Sequence, residues 1–150
     1  MRALNCERPL VTKVGKLGWE AIDDAEREGI TPARPASDGY RRYLHAICGR
    51  SAPSGGPASP DAPEFDRFVR AQQTWDRAFA CRIADTLKDL PGHRVIGIIG
   101  RGHLEHGYGT PFQLEDLGVR SSILLPTREP VFLPRTPDAV ADLIFRIDDR

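Results

Sequence analysis

The stretch Glu64–Leu90 constrains this chain more than any other: Phe65, Phe68, Val69, Trp75, Phe79, Ile83, Leu87 and Leu90 recur every three or four residues, and Pro91-Gly92 follows. That spacing predicts one long amphipathic helix with an abrupt end. Immediately after it, Val95–Ile99 reads VIGII, a β-branched apolar run inside His93–Gly100. Such a run, bounded by Pro-Gly and Gly-Arg-Gly, is expected to be a strand buried on both faces. A helix feeding a doubly buried strand predicts an α/β fold: three layers, a mostly parallel sheet and flanking helices, with Val95–Ile99 central.

Around this unit the other elements are shorter. Pro9–Glu28 carries Leu10, Val11, Val14, Leu17, Trp19 and Ile22 near helical spacing, with Gly29 as its cap, although Gly15 and Gly18 weaken the pattern. A second helix is expected from Ser37 or Asp38 to about Cys48, with Tyr40, Tyr43, Leu44 and Ile47 on one side. Pro111–Leu117 reads as a short helix, Ser121–Leu125 as a buried strand and Ala141–Ile147 as a terminal strand. The segment Arg50–Pro63, RSAPSGGPASPDAP, has too little apolar surface to order itself and is expected to be a disordered loop within a single domain spanning residues 1–150.

Composition narrows the function classes. Twenty-one Lys and Arg balance twenty-one Asp and Glu, so no global field draws the chain to nucleic acid or an anionic surface. No apolar run approaches the ~20 residues of a membrane-spanning helix, and nothing in the chain directs it to a compartment. Cys6, Cys48 and Cys81 are odd in number, without a CxxC pair, and read as free thiols, Cys81 as a small core residue.

Chemistry concentrates in GRGHLEHGYGTP, Gly100–Pro111. Ligands of open α/β sheets sit beyond the carboxyl ends of the strands, where this loop would begin. Gly100, Gly102, Gly107 and Gly109 let the backbone approach a ligand closely, while His103, Glu105, His106 and Tyr108 supply two imidazoles, a carboxylate and a phenol, the usual partners of iron or zinc. The loop is not a phosphate cradle: the GxxxxGK[ST] lysine is missing, and Glu105 breaks GxGxxG. Each of His103, His106 and Tyr108 has a plain alternative as a hydrogen-bonded structural residue. His45 and His93 read as surface residues and Trp75 as core. On the long helix, Gln72 and Asp76 lie four apart on the apolar stripe, where a carboxylate must find a partner. It either fastens the helix to the glycine-rich loop or orients His103 or a metal from behind.

Taken together, AQQTWDRAFACRIA at Ala71–Ala84 and VIGIIGRGHLEHGYGTPFQLEDLGV at Val95–Val119 resemble the ChaN-like haem-binding uptake family of the Tiki superfamily. ALNCERPLVTKVGKLGWEAI is similar to that family's middle segment. The resemblance implies an α/β protein that binds haem and takes part in haem or iron uptake or handling, with Gly100, Arg101, Gly102 and His103 matching the second of two GxxH motifs. It places Tyr108 or His103 at the iron, and Gly100, Gly102, His106, Gly107 and Gly109 around the macrocycle. We favour Tyr108 as ligand, because Gly107 and Gly109 flank it, with His103 as its neighbour and Asp76 and Gln72 in support. The family is often an envelope-associated lipoprotein. Its first half has no counterpart before Met1, and Phe79 stands where members more often have methionine. Half a site implies a homodimer or a separate amino-terminal half as partner. The alternatives are a metal-dependent hydrolase of the Tiki and erythromycin-esterase type, holding a divalent ion through His103, or a non-catalytic remnant.

Overall fold

A computed structural model describes residues 1–51, 59–128 and 139–147. In chain order the elements are α1 (Arg8–Leu17), α2 (Asp38–Ser51), α3 (Pro63–Asp89), α4 (Thr110–Asp116), β1 (Leu124–Thr127) and β2 (Leu143–Arg146). Single 3₁₀ turns occupy Trp19–Ala21, Asp24–Glu26, Arg101–His103 and Glu105–Gly107.

Helix α3, 27 residues long, spans roughly 40 Å at 1.5 Å per residue and organises the rest. Its periodicity reports burial against three neighbours. Ala78 and Cys81 meet Leu10, Val11 and Val14 of α1 together with Cys6, Ile22 and Ile30. Phe65 and Val69 meet Tyr40 and Leu44 of α2. Ala80 and Ile83 meet Leu114 of α4, with Leu4, Val95 and Ile99 along the margin. Large side chains such as Phe65 and Tyr40, each 2% exposed, contribute about 1.5–3 kcal/mol apiece on burial. Pro63 opens the helix, where its missing N–H costs nothing, and acidic Glu64 and Asp66 face the positive end of its dipole.

The helices α2, α3 and α4 stand close to their predicted bounds. The one expected over Pro9–Glu28 is shorter: it ends at Leu17, because Gly18 takes a φ of +84° and an α-helix cannot continue through a left-handed residue. The chain then proceeds through 3₁₀ turns. Of the loop expected over Arg50–Pro63, residues 52–58 lie outside the described residues, while Pro63 already belongs to α3.

The strand layer departs furthest from expectation. The protein is mixed helix and strand, and the described residues form a two-stranded parallel sheet, β1 with β2, pairing Leu124 with Leu143 and Thr127 with Arg146. Val95–Ile99 is not a central strand. It runs alongside α3 without a sheet partner among the described residues, and Ile96 and Ile98 are 90% and 93% exposed. The reason is one of layers: α3 covers one side of the segment through Val95 and Ile99, and no described element covers the other. Among the described residues a three-layer sandwich is not seen.

No described helix is long and apolar enough to cross a membrane. Cys6, Cys48 and Cys81 are free thiols, with Cys6 and Cys81 buried as core residues.

Candidate functional site

Asp76 lies at the middle of α3 with no solvent exposure. A buried carboxylate is costly unless its oxygens accept hydrogen bonds, and here three segments supply donors. Tyr40 of α2 donates its hydroxyl to Oδ2 at 2.5 Å. Thr110, the first residue of α4, donates its hydroxyl to Oδ1 at 3.1 Å, and His103 places Nδ1 2.9 Å from the same oxygen. Since a carboxylate only accepts, the neutral imidazole carries its proton on Nδ1 and presents Nε2 as an unprotonated donor atom. Burial, then the Asp76 charge, holds the Tyr40 phenol far above its ordinary range, which keeps it a hydrogen-bond donor.

The loop that delivers His103 is shaped by two successive left-handed residues, His106 at φ +58° and Gly107 at +70°. They turn the chain so that the residues on either side of them face one region. His106 stacks on Tyr108 with ring centroids 5.3 Å apart, and its backbone N–H is anchored by Val140 O at 2.9 Å. Tyr43 of α2 meets both rings edge-on, at 5.7 Å from His106 and 6.2 Å from Tyr108. The result is a partly exposed aromatic wall of Tyr43, His106 and Tyr108. Phe79 packs edge-on against His103 at 5.3 Å.

Glu105 ties this wall to the start of the loop. Its carboxylate accepts from the Tyr43 hydroxyl and from Arg101 Nε. Burial alone would raise its pKa, but the hydrogen bonds from Tyr43 and Arg101, with the Arg101 charge, hold it below its ordinary value.

Two glycines are required by close approach. A Cβ on Gly109 would stand 2.6 Å from the His103 carbonyl oxygen and 2.7 Å from Asp76 Oδ1, and one on Gly39 would stand 2.9 Å from the tip of the Tyr108 ring. Gly107 serves through its positive φ; Gly100 precedes the first turn, and a Cβ on Gly102 or Gly100 would meet the Tyr43 hydroxyl at 4.0 Å or the His103 ring at 3.7 Å, ordinary contacts that do not demand glycine.

Of the residues singled out in the sequence, the structure sets His103 and Gly109 against Asp76 and stacks His106 on Tyr108 beside Gly107. It leaves Gln72 aside: that side chain is half-buried and has no hydrogen bond among the described residues, whereas Gln113 of α4 is fully buried and accepts from Arg77 at 3.3 Å and from the Arg34 N–H at 2.9 Å. His93 is exposed, while His45 packs edge-on against Phe65 at 5.6 Å instead of standing free. Trp75 stacks on Phe79, as a core residue would. Sequence reading missed the site roles of Tyr40, Tyr43, Thr110 and Gly39. The α2 pattern offered a signal, since two phenols three apart on an apolar stripe each need a polar partner.

A loop with two uncommitted iron-type donors, set against a buried carboxylate and an aromatic wall, agrees with the family model that matches residues 1–114, described as haem-binding uptake, Tiki superfamily, ChaN. The chain belongs to that family. No curated protein and no solved structure matches it. The ChaN match ends within α4, so it takes in every side chain of the site described above, while the Val140 carbonyl, β1 and β2 lie beyond it.

Proposed function

We propose that this chain binds haem at the Gly100–Gly109 loop and works in haem or iron uptake or handling, with Tyr108 as the axial ligand and His103 beside it. The observation that carries the reading is the state of the donors: Tyr108 Oη has no hydrogen-bond partner among the described residues, and His103 is held through Nδ1 with Nε2 uncommitted. Haem brings its iron already held by four ring nitrogens, so one or two such atoms suffice. A bare divalent ion needs more, and among the described residues no three His, Cys, Asp or Glu side chains come together to hold one. That supports haem over the metal-dependent hydrolase.

The partly exposed rings of Tyr43, His106 and Tyr108 suit a flat aromatic ligand, and Gly107 and Gly109 keep side chains away from the flanks of Tyr108. Asp76 would fix the His103 ring through Nδ1 and so set the direction in which Nε2 faces a bound ligand.

The test is a haem titration of the purified chain followed in visible absorption, repeated with Tyr108→Phe and His103→Ala. A phenolate is a hard anion that favours ferric iron, whereas imidazole supports both oxidation states. Tyr108→Phe is expected to change the ferric spectrum and weaken binding by at least about tenfold, a loss of roughly 1.4 kcal/mol. His103→Ala is expected to weaken binding while leaving the phenolate signature. If Tyr108→Phe changes nothing while His103→Ala abolishes binding, the axial ligand is His103. If neither substitution matters, the haem reading of this loop fails.

A further inference from the structure

The two strands beyond the family match end against the Gly100–Gly109 loop. β1 and β2 are parallel, so Thr127 and Arg146 finish side by side, and the Ile147 N–H donates to the Thr127 carbonyl at 2.8 Å. Just before β2, the Val140 carbonyl holds the His106 N–H at 2.9 Å and fixes the strands to the loop. Beyond their carboxyl ends lies a surface cavity of about 580 Å³, lined by Pro126, Thr127, Arg128 and Ile147 from the strands and by Arg101 from the loop. The carboxyl ends of parallel strands are where such sheets receive ligands. The cavity carries one sign of charge: among the described residues two guanidinium groups line it and no carboxylate does.

Arg101 is already oriented. Its Nε donates to Glu105, which also accepts from the Tyr43 hydroxyl, so the aromatic wall sets the direction of the guanidinium while the side chain stays 56% exposed. A guanidinium engaged through Nε still offers the N–H groups of both terminal nitrogens, and neither nitrogen has a partner among the described residues. That fork matches a carboxylate. Haem carries two carboxylates on one edge of an otherwise apolar macrocycle. The contacts that run from the wall through Tyr43 and Glu105 to Arg101 lead into a cavity with two cations and with Pro126 and Ile147 as apolar flanks.

Resting on the haem reading of the loop, we propose that Arg101 and Arg128 bind the two haem carboxylates, so that the site selects a porphyrin with free carboxylates over one without them. Arg128 lies beyond the residues 1–114 of the family match, and the cavity is assembled across that boundary.

The test compares haem with its dimethyl ester, which keeps iron and macrocycle and removes both charges. The full chain is expected to bind haem at least about tenfold more tightly than the ester, and the preference should shrink as salt is added. Arg128→Gln and Arg101→Gln should each cut the preference about threefold, and the double variant should retain little of it. Arg101→Lys keeps the ion pair with Glu105 and serves if the Gln variant disturbs the loop; it loses the fork and should lower the preference without abolishing it. Tyr108→Phe, by contrast, should weaken haem and ester together, which separates carboxylate recognition from iron ligation. Equal affinity of the wild type for haem and ester, or a preference that survives in the double variant, would overturn the proposal and leave the haem reading in place. A wild type that binds neither would overturn both.

Discussion

Gly109 stands so close to Asp76 that a single methyl group would fall 2.7 Å from its Oδ1. Both partners are buried, and the second atom in the way, the His103 carbonyl, is backbone and cannot swing aside. Gly109→Ala is therefore expected to destabilise the protein by about 1–3 kcal/mol, a fall of roughly 2–10 °C in melting temperature. It should also release His103 from Asp76. Gly39→Ala makes a milder contrast, because its obstacle is the tip of the Tyr108 side chain. Melting temperature should fall less there, and haem affinity should fall with it as Tyr108 is displaced. Calorimetry and haem titration on both variants check the ordering.

Replacing Asp76 by Asn keeps the shape and loses the charge. The amide nitrogen must then face one of the donors now supplied by Tyr40, Thr110 and His103. We expect a loss of about 2–4 kcal/mol, from a broken charge-assisted hydrogen bond and an unsatisfied buried donor. The more specific readout is nuclear magnetic resonance of the imidazole: His103 should hold its proton on Nδ1 in the wild type and lose that preference in Asp76→Asn.

Glu105 gives a pH dependence with a defined sign. Its folded-state pKa lies below the ordinary 4.5 because Tyr43 and Arg101 outweigh the effect of burial. A carboxyl depressed on folding adds stability that is fully present above its unfolded pKa and disappears as pH falls through the folded one. Wild type and Glu105→Gln should therefore differ in denaturant midpoint at pH 7, and the gap should close as the pH is lowered past 4.5 and further into acid. A gap that is constant down to strong acid would show that Glu105 acts by shape alone.

The three thiols should label in a fixed order. Cys6 is buried, and burial with the nearby Glu28 charge pushes its pKa to about 11, leaving little reactive thiolate at neutral pH. Cys81 is buried beside the Thr31 hydroxyl at 3.6 Å, whereas Cys48 is half-buried on α2. Iodoacetamide followed by mass spectrometry is expected to modify Cys48 first, with Cys6 and Cys81 reacting only as the protein unfolds.

Helices were legible because their periodicity depends on the chain alone. Phe65, Val69, Phe79 and Ile83 of the stripe are buried as their spacing implied, Phe68 is exposed, and α2 follows Tyr40, Leu44 and their neighbours onto α3. Val95–Ile99 misled because β-branched apolar residues state what they would bury against, not whether the same chain supplies it. Ile96 and Ile98 are as apolar as Val95 and Ile99, yet among the described residues only the latter pair packs against a core cluster. At the site, loop composition pointed to His103 and Tyr108, and a carboxylate on an apolar stripe pointed to Asp76. Tyr40 and Thr110 could not be read the same way, since a phenol in a core stripe and a threonine before a helix are ordinary until the fold sets them on one carboxylate.

The Asp76 carboxylate also has a bearing on biosynthesis. Its hydroxyl donor Tyr40 lies 36 residues before it, while His103 and Thr110 follow by 27 and 34 residues. On the ribosome, α3 emerges with one of its three partners already made and the other two still to be translated. The carboxylate then keeps its water, and α3 stays open along that stripe, until the loop after Gly100 has left the exit tunnel. On the proposed reading, haem present during synthesis would meet no assembled pocket, so ligand capture would be deferred to the finished chain.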